Sequence, residues 1–268
     1  MDNPATKVQP EGGLDLRVMT EARVRLGRFG AGMPTKASLA FLLDHARARE
    51  AVWSPMNGIE VQRQLTELGL DVLFVESLAE DRGQYVRRPD LGRRLSAASA
   101  GRLERVAEQR EGVDVVITIA DGLSSSAVDI NAVAVVKAIV HRLRGLGFSL
   151  APIILASQAR VALSDPIGQA LGAGISIMLI GERPGLSAAD SLGAYLTCSP
   201  QTGNLDSRRN CVSNIREGGL SAELAAESIV GLVADMKKTG ISGIGLKDAM
   251  TKLQVRGEVT AIAFRQRE

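Results

Sequence analysis

The sequence predicts an α/β protein: a Rossmann-like parallel sheet flanked by helices, with a mainly helical N-terminal extension. Three observations carry that expectation. Three apolar runs, at residues 113–120, 150–156 and 175–180, each empty into a polar or glycine-bearing loop, as buried parallel strands do where they deliver a loop to a ligand. Helical patterns separate the runs, and strand–helix–strand repetition with right-handed crossovers is how a parallel sheet is written in sequence. Hydrophobic residues make up 45% of the 268 and aromatic residues only 3%, so the core has to be built from Ala, Val, Leu and Ile.

Taken in order, residues 1–17 hold Pro4, Pro10, Gly12 and Gly13 with little apolar periodicity and are expected to be mobile. Residues 18–110 read as a mainly helical, partner-docking region. The glycines at 27, 30 and 32 are spaced superficially like a phosphate loop, but no apolar strand precedes them and no Gly-Lys-Ser/Thr follows. Thr35 is the expected N-cap of a helix in which Leu39, Leu42, Leu43 and Ala46 recur at helical spacing. Its other face carries Asp44, Arg47, Arg49 and Glu50, a solvated or interface face. His45, beside Asp44, reads as structural. Residues 71–77 look like a strand. Between Arg82 and Arg94, five arginines face one acid, Asp90. Only Tyr85 could stack on a base there, so a docking patch for a protein is the better reading than a nucleic-acid site.

Residues 111–250 read as the α/β domain. The first run ends at Asp121-Gly122-Leu123-Ser124, and the helix after it carries Val133, Val136, Val140 and Leu143 before Gly145 and Gly147 close it. The second run exits at Gln158-Ala159-Arg160-Val161, followed by a short helix over 165–171 that stops at Gly172 and Gly174. The third runs into Gly181-Glu182-Arg183-Pro184-Gly185. A fourth strand is expected over 192–198, then a turn-rich stretch over 199–213 and an amphipathic helix over 223–236. Residues 251–268 are expected to be an irregular tail. In open α/β sheets ligands sit at the carboxyl ends of the strands, which groups Asp121-Gly122, Arg160-Val161 and Glu182-Arg183 on one edge.

The totals exclude several functions. With 32 basic and 30 acidic residues the net charge is +2, which demands neither nucleic acid nor an anionic membrane as partner. Two cysteines make no disulfide framework and suit a reduced, cytoplasmic compartment. The N-terminus lacks a basic segment followed by an apolar one, and no window approaches the roughly 18 apolar residues of a membrane span. Ser124 sits in no Gly-x-Ser-x-Gly elbow, metal-ligand spacings are missing, and Asp121-Gly122-Leu123-Ser124-Ser125 is not a dinucleotide fingerprint. Residue chemistry alone therefore stops at an α/β ligand-binding or regulatory domain.

Seven words go further. Leu26-Gly27-Arg28-x-Gly30-x-Gly32-x-Pro34-Thr35, Asp44-His45-Ala46-Arg47-Ala48-Arg49, Arg88-Pro89-Asp90-Leu91-Gly92-Arg93-Arg94, Asp121-Gly122-Leu123-Ser124, Gly181-Glu182-Arg183-Pro184-Gly185-Leu186, Asp190-Ser191-Leu192 and Asn210-Cys211-Val212-Ser213-Asn214-Ile215 occur in this order over residues 22–245. Together they resemble the small subunit of ethanolamine ammonia-lyase. The resemblance implies an adenosylcobalamin enzyme that converts ethanolamine to acetaldehyde and ammonia, with the barrel and substrate site on a large subunit and the small subunit completing the cobalamin site in a hetero-oligomer. It maps the cobalamin contacts onto Val161, Glu182 and Cys211, none of them catalytic. Ala159 stands where that family more usually has glycine. Neither His45 nor His141 stands in Asp-x-His-x-x-Gly, the word of cobalamin proteins that replace the lower base, so the cofactor is expected base-on. Such enzymes often associate with bacterial microcompartments, which leaves that interior open beside the free cytoplasm. The competing reading is a non-enzymatic α/β ligand- or partner-binding protein that uses the Arg82–Arg94 patch; a third is a hydrolase built on Ser124.

Overall fold

A computed structural model describes residues 23–24, 26–27, 32–109 and 112–255. Helices α1 (Thr35–Trp53) and α2 (Gly58–Glu67) lead into strand β1 (Val72–Glu76), helix α3 (Arg82–Arg87), a 3-10 turn at Leu91–Arg93, and α4 (Ala97–Ala107). Then follow β2 (Val115–Ala120), α5 (Ser125–Gly145), β3 (Ile153–Ser157), α6 (Ser164–Ala170), β4 (Ile175–Gly181), β5 (Leu192–Cys198), β6 (Asn210–Ile215), α7 (Ala222–Thr239) and α8 (Gly245–Val255). The expected mobile segment, residues 1–17, lies outside the described residues.

The six strands form one sheet in the order β1-β3-β2-β4-β5-β6. The first four are parallel. The expectation of a parallel sheet fails at β5 and β6, which run antiparallel. The link from Glu182 to Ser191 is shorter than the roughly dozen residues that a parallel crossover needs, so the chain can only turn back beside β4. The sheet is mixed.

Every residue of β2 and β4 is buried, as expected for strands covered on both faces. Alternation divides their side chains between two cores. Ile117, Ile119, Ile177 and Leu179 pack with Val135, Ile139 and Leu143 of α5 and Ile229 and Val233 of α7. Val116, Ile154, Met178 and Ile180 pack with Leu103 of α4 and Ile167 of α6. Side chains set the helix starts: Asp81, Ser96, Ser124 and Ser221 each accept a backbone N–H of the first turn. Gly240, at φ 68°, ends α7 in the left-handed conformation that glycine adopts without cost.

Three local expectations change. Thr35 is not the N-cap of α1; it is the first helical residue, and Pro34 holds the cap position without a side-chain bond. The Leu face of α1 does not turn inward: Leu39, Leu42 and Leu43 are exposed, and Ala51 is the helix's one buried residue among those described. His45 stacks on Phe41 at 6.2 Å between ring centroids. At the other end, α8 runs through Val255, five residues into the stretch expected to be irregular, and the rest of that stretch lies outside the described residues.

Candidate functional site

Parallel strands release their chains at a common edge, and here β2, β3 and β4 release Asp121, Gln158 and Glu182. The three exit loops surround an open cleft of about 390 Å³, floored by Gly122, Ile180 and Gly181 and walled by Tyr85, Arg160, Val161, Glu182 and Tyr195. The grouping expected from the strand-end rule is thus present as geometry.

The loops lie close because two positions lack a side chain. A Cβ on Gly181 would sit 1.9 Å from the carbonyl oxygen of Ser124, and one on Gly122, at φ +55°, would sit 2.2 Å from that of Gly181. The Leu123 N–H donates to the Gly181 carbonyl at 2.9 Å across the same approach. Gly181→Ala should destabilise the fold by about 3 kcal/mol or more, because backbone rather than a flexible side chain must give way. Urea unfolding measures it, and a loss under about 1 kcal/mol would show that the loops can separate freely.

Asp121 is the hub beneath the cleft. Its Oδ1 accepts the N–H groups of Gly122 (2.9 Å) and Ala159 (3.1 Å), and its Oδ2 accepts that of Gln158 (2.9 Å) and Nη1 of Arg82 (3.1 Å). Burial pushes its carboxyl up from the ordinary range, and the Arg82 guanidinium and the three N–H groups oppose that rise. These bonds hold Gln158 at φ 53°, a left-handed conformation rarely taken by a side chain of that length. Ser77 adds a third anchor by donating to the Gln158 carbonyl at 2.7 Å. The strained residue sits two positions before Arg160 and three before Val161, so it sets how they enter the cleft.

Arg82 donates its Nε to the Val52 carbonyl (2.6 Å) and its Nη1 to Asp121 and to the Gln158 side chain (3.3 Å). Tyr85 is buried, donates its hydroxyl to the Ala159 carbonyl (2.9 Å), and has the guanidinium carbons of Arg82 and Arg160 at 4.7 and 4.3 Å from its ring centroid. Burial pushes the Tyr85 hydroxyl upward as well. The expected arginine patch is therefore not one free face. Arg82 points inward, Arg88 pairs with Asp90 at 2.8 Å, and Arg93 pairs with Asp206 at 3.4 Å.

Val161 and Glu182 both line the cleft. Oε2 of Glu182 accepts the Ser191 hydroxyl at 2.6 Å and the Asn214 N–H at 3.3 Å, which fixes the carboxylate over Gly193. Oε1 has no donor among the described residues. Cys211 lies outside this cleft, in an adjoining hollow of about 470 Å³ that shares Arg160, Val161 and Tyr195 with it. Tyr195 and Cys211 face each other across the β5–β6 ladder. Burial, then the neighbouring Cys211 and Glu182, push the Tyr195 hydroxyl to about 12, and burial pushes the Cys211 thiol up against the hydrogen bond from Tyr195. At neutral pH this wall is an uncharged phenol beside an uncharged thiol. Thiolate chemistry is disfavoured there.

Tyr85, Tyr195 and Arg82 were not legible as site residues. Tyr85 and Arg82 sit inside the arginine-rich stretch 82–94, where charge masks burial. Tyr195 reaches the cleft only because β5 reverses. Ser124 is buried; it caps α5 at Ala127 and donates to the Ala189 carbonyl at 2.6 Å. His141 lies on the helix that Ser124 caps, about 26 Å further along its axis, so it cannot serve Ser124 as a base. Among the described residues no cluster of three metal-ligating side chains occurs, and no helix is long and apolar enough to cross a membrane.

Fold and cleft define the class: a mixed α/β protein with an open cleft at the carboxyl edge of its parallel strands, lined by fixed polar groups and lacking a nucleophile–base pair among the described residues. Residues 11–247 match the family model described as ethanolamine ammonia-lyase light chain, and the chain belongs to that family. It is 48% identical over 234 residues to the ethanolamine ammonia-lyase small subunit of Azotobacter vinelandii, covering 87% of each chain. The small subunits of Bradyrhizobium diazoefficiens (48% over 249 residues, covering 92% of this chain and 94% of the relative) and Ralstonia nicotianae (44% over 249 residues, 92% of each) are similar along nearly the whole length.

Proposed function

We propose that this chain is the small subunit of an adenosylcobalamin-dependent ethanolamine ammonia-lyase and that its cleft completes the cobalamin site at the interface with a large catalytic subunit. The observation that carries the reading is the shared wall: Val161 and Glu182 line one cleft, and Cys211 opens on a hollow that shares Val161, Arg160 and Tyr195 with it. The residues suit the group. A nucleotide-bearing corrin offers a flat aromatic base, amide donors and a phosphodiester. Val161 is an apolar wall for such a base, and among the described residues Oε1 of Glu182 has no donor and the buried Nε of Arg160 no acceptor. Cys211 is small enough for the backbone of β6 to approach closely. The cleft is too small to enclose a cobalamin, which accords with a site shared between two chains.

When bound, the cofactor would supply the radical chemistry that turns ethanolamine into acetaldehyde and ammonia. This chain's residues bind, orient and exclude water; none donates or removes a proton from substrate. Cobalamin titration of the assembled subunits, followed by absorbance, tests the assignment. Wild-type assembly should bind, and Cys211→Trp or Glu182→Trp should raise the cobalamin Kd at least about ten-fold, some 1.4 kcal/mol, with the ethanolamine KM changing less. Unchanged cobalamin affinity in both variants would remove these residues from the site.

A further inference from the structure

Helix α1 is built inside out. Leu39, Leu42, Leu43, Ala46 and Trp53 fall on one helical face, and that face points away from the chain: Leu39 is 61% exposed, Leu42 56%, Leu43 51% and Trp53 51%. The face turned to the body carries the small Ala48 and Ala51 and the half-buried Asp44. A 19-residue helix that buries one residue in its own chain has little packing to stabilise it. Exposed leucines at adjacent helical positions are a covered surface awaiting its cover.

We propose that this face docks into an apolar groove with an acidic rim on the large subunit. The inference rests on the small-subunit reading. Two observations select that occupant. Lys36 and Arg47 flank the stripe on one side and Arg49 on the other, all exposed, with Glu50 the one exposed acid inside it and Arg47 3.8 Å from Asp44. The face keeps a positive balance, so two copies packed stripe to stripe would set it against itself, whereas carboxylates on a rim would complement it. The helix also lies beside the loop that leaves the cleft: its Asp44, Arg47 and Glu50 share a separate hollow of about 630 Å³ with Leu186 and Ser187 of the loop following Glu182, and Arg82 binds its Val52 carbonyl and Asp121 together. A partner seated over the loop that follows Glu182 therefore meets residues of α1 as well.

The test uses the full chain and purified large subunit, with affinity read by light scattering or calorimetry and the self-association of this chain read by sedimentation. Leu42→Asp should weaken subunit affinity more than about ten-fold while leaving the melting of the isolated chain unchanged. Arg49→Glu should weaken it several-fold, with a flatter salt dependence; it decides the question if Leu42→Asp fails to fold. Undiminished affinity in the folded variants overturns the docking face while leaving the small-subunit reading intact. A homodimer of the wild-type chain that Leu42→Asp dissolves, with unchanged large-subunit affinity, makes a second copy the occupant and overturns the proposal. If the wild-type chain forms no complex at all, the small-subunit reading fails and this inference with it.

Discussion

Asp165→Ala should cost the folded chain about 3 kcal/mol, because it leaves a buried guanidinium with only the exposed Asp206, on one nitrogen, as counter-charge. Asp165 lies in the first turn of α6 and Arg209 precedes β6, and both side chains are 2% exposed. The fork is bidentate: Nη1 to Oδ1 at 2.8 Å and Nη2 to Oδ2 at 2.6 Å. Thr197 accepts a further bond from Nη1 at 3.0 Å, and Asp206 accepts from Nε at 3.3 Å. The paired variant Asp165→Leu with Arg209→Met should be milder than Asp165→Leu or Arg209→Met alone, since it removes both charges together. Urea unfolding of the four proteins closes the cycle. A single variant within about 1 kcal/mol of wild type would mean that water reaches the pair. The consequence extends to function: this clamp holds the turn-rich stretch before β6, so losing it should also loosen the position of Cys211.

That clamp illustrates what the sequence could and could not convey. Apolar runs at 113–120, 150–156 and 175–180 were legible because buried parallel strands need apolar side chains on both faces, and strand ends then assign Asp121, Val161 and Glu182 to one edge. Direction was not legible for residues 192–198: alternation and burial look the same in either sense, and only the short link after Gly181 forbids a crossover. The pairing of Arg209 with Asp165 joins residues 44 apart in the chain, and nothing local marks it. Periodicity found the stripe on α1 but misread its direction, since a helical pattern identifies an apolar face without saying whose core will cover it. The glycines at 122 and 181 stood in plain view as loop residues. Their actual role, letting two backbones touch, needs the distance between loops.

Arg82→Met should act at the cleft through the loops it holds. Methionine fills the space of the stem but leaves Asp121 buried with only backbone donors, and the loss of stability should be about 2–4 kcal/mol. Asp121→Asn should be comparable, because all four partners of the carboxylate are donors and one end of an amide would meet N–H with N–H. Arg82→Lys should recover part of the loss: an ammonium can pair with Asp121, but it lacks the fork that also reaches Val52 and Gln158. A purely structural arginine would predict uniform loosening. A positioning arginine predicts something narrower. Amide exchange should rise first at 121–124 and 157–161, where Gln158 relaxes from its left-handed conformation, and cobalamin affinity of the assembled enzyme should fall in the order wild type, Arg82→Lys, Arg82→Met. If exchange rises equally across the sheet while cofactor affinity in the surviving fold is unchanged, Arg82 only stabilises. If the loops loosen first, the charge hidden in the arginine-rich stretch 82–94 orients Arg160 and Val161, and the last turn of α1, at Val52, is tied through one guanidinium to the edge where the ligand is proposed to bind.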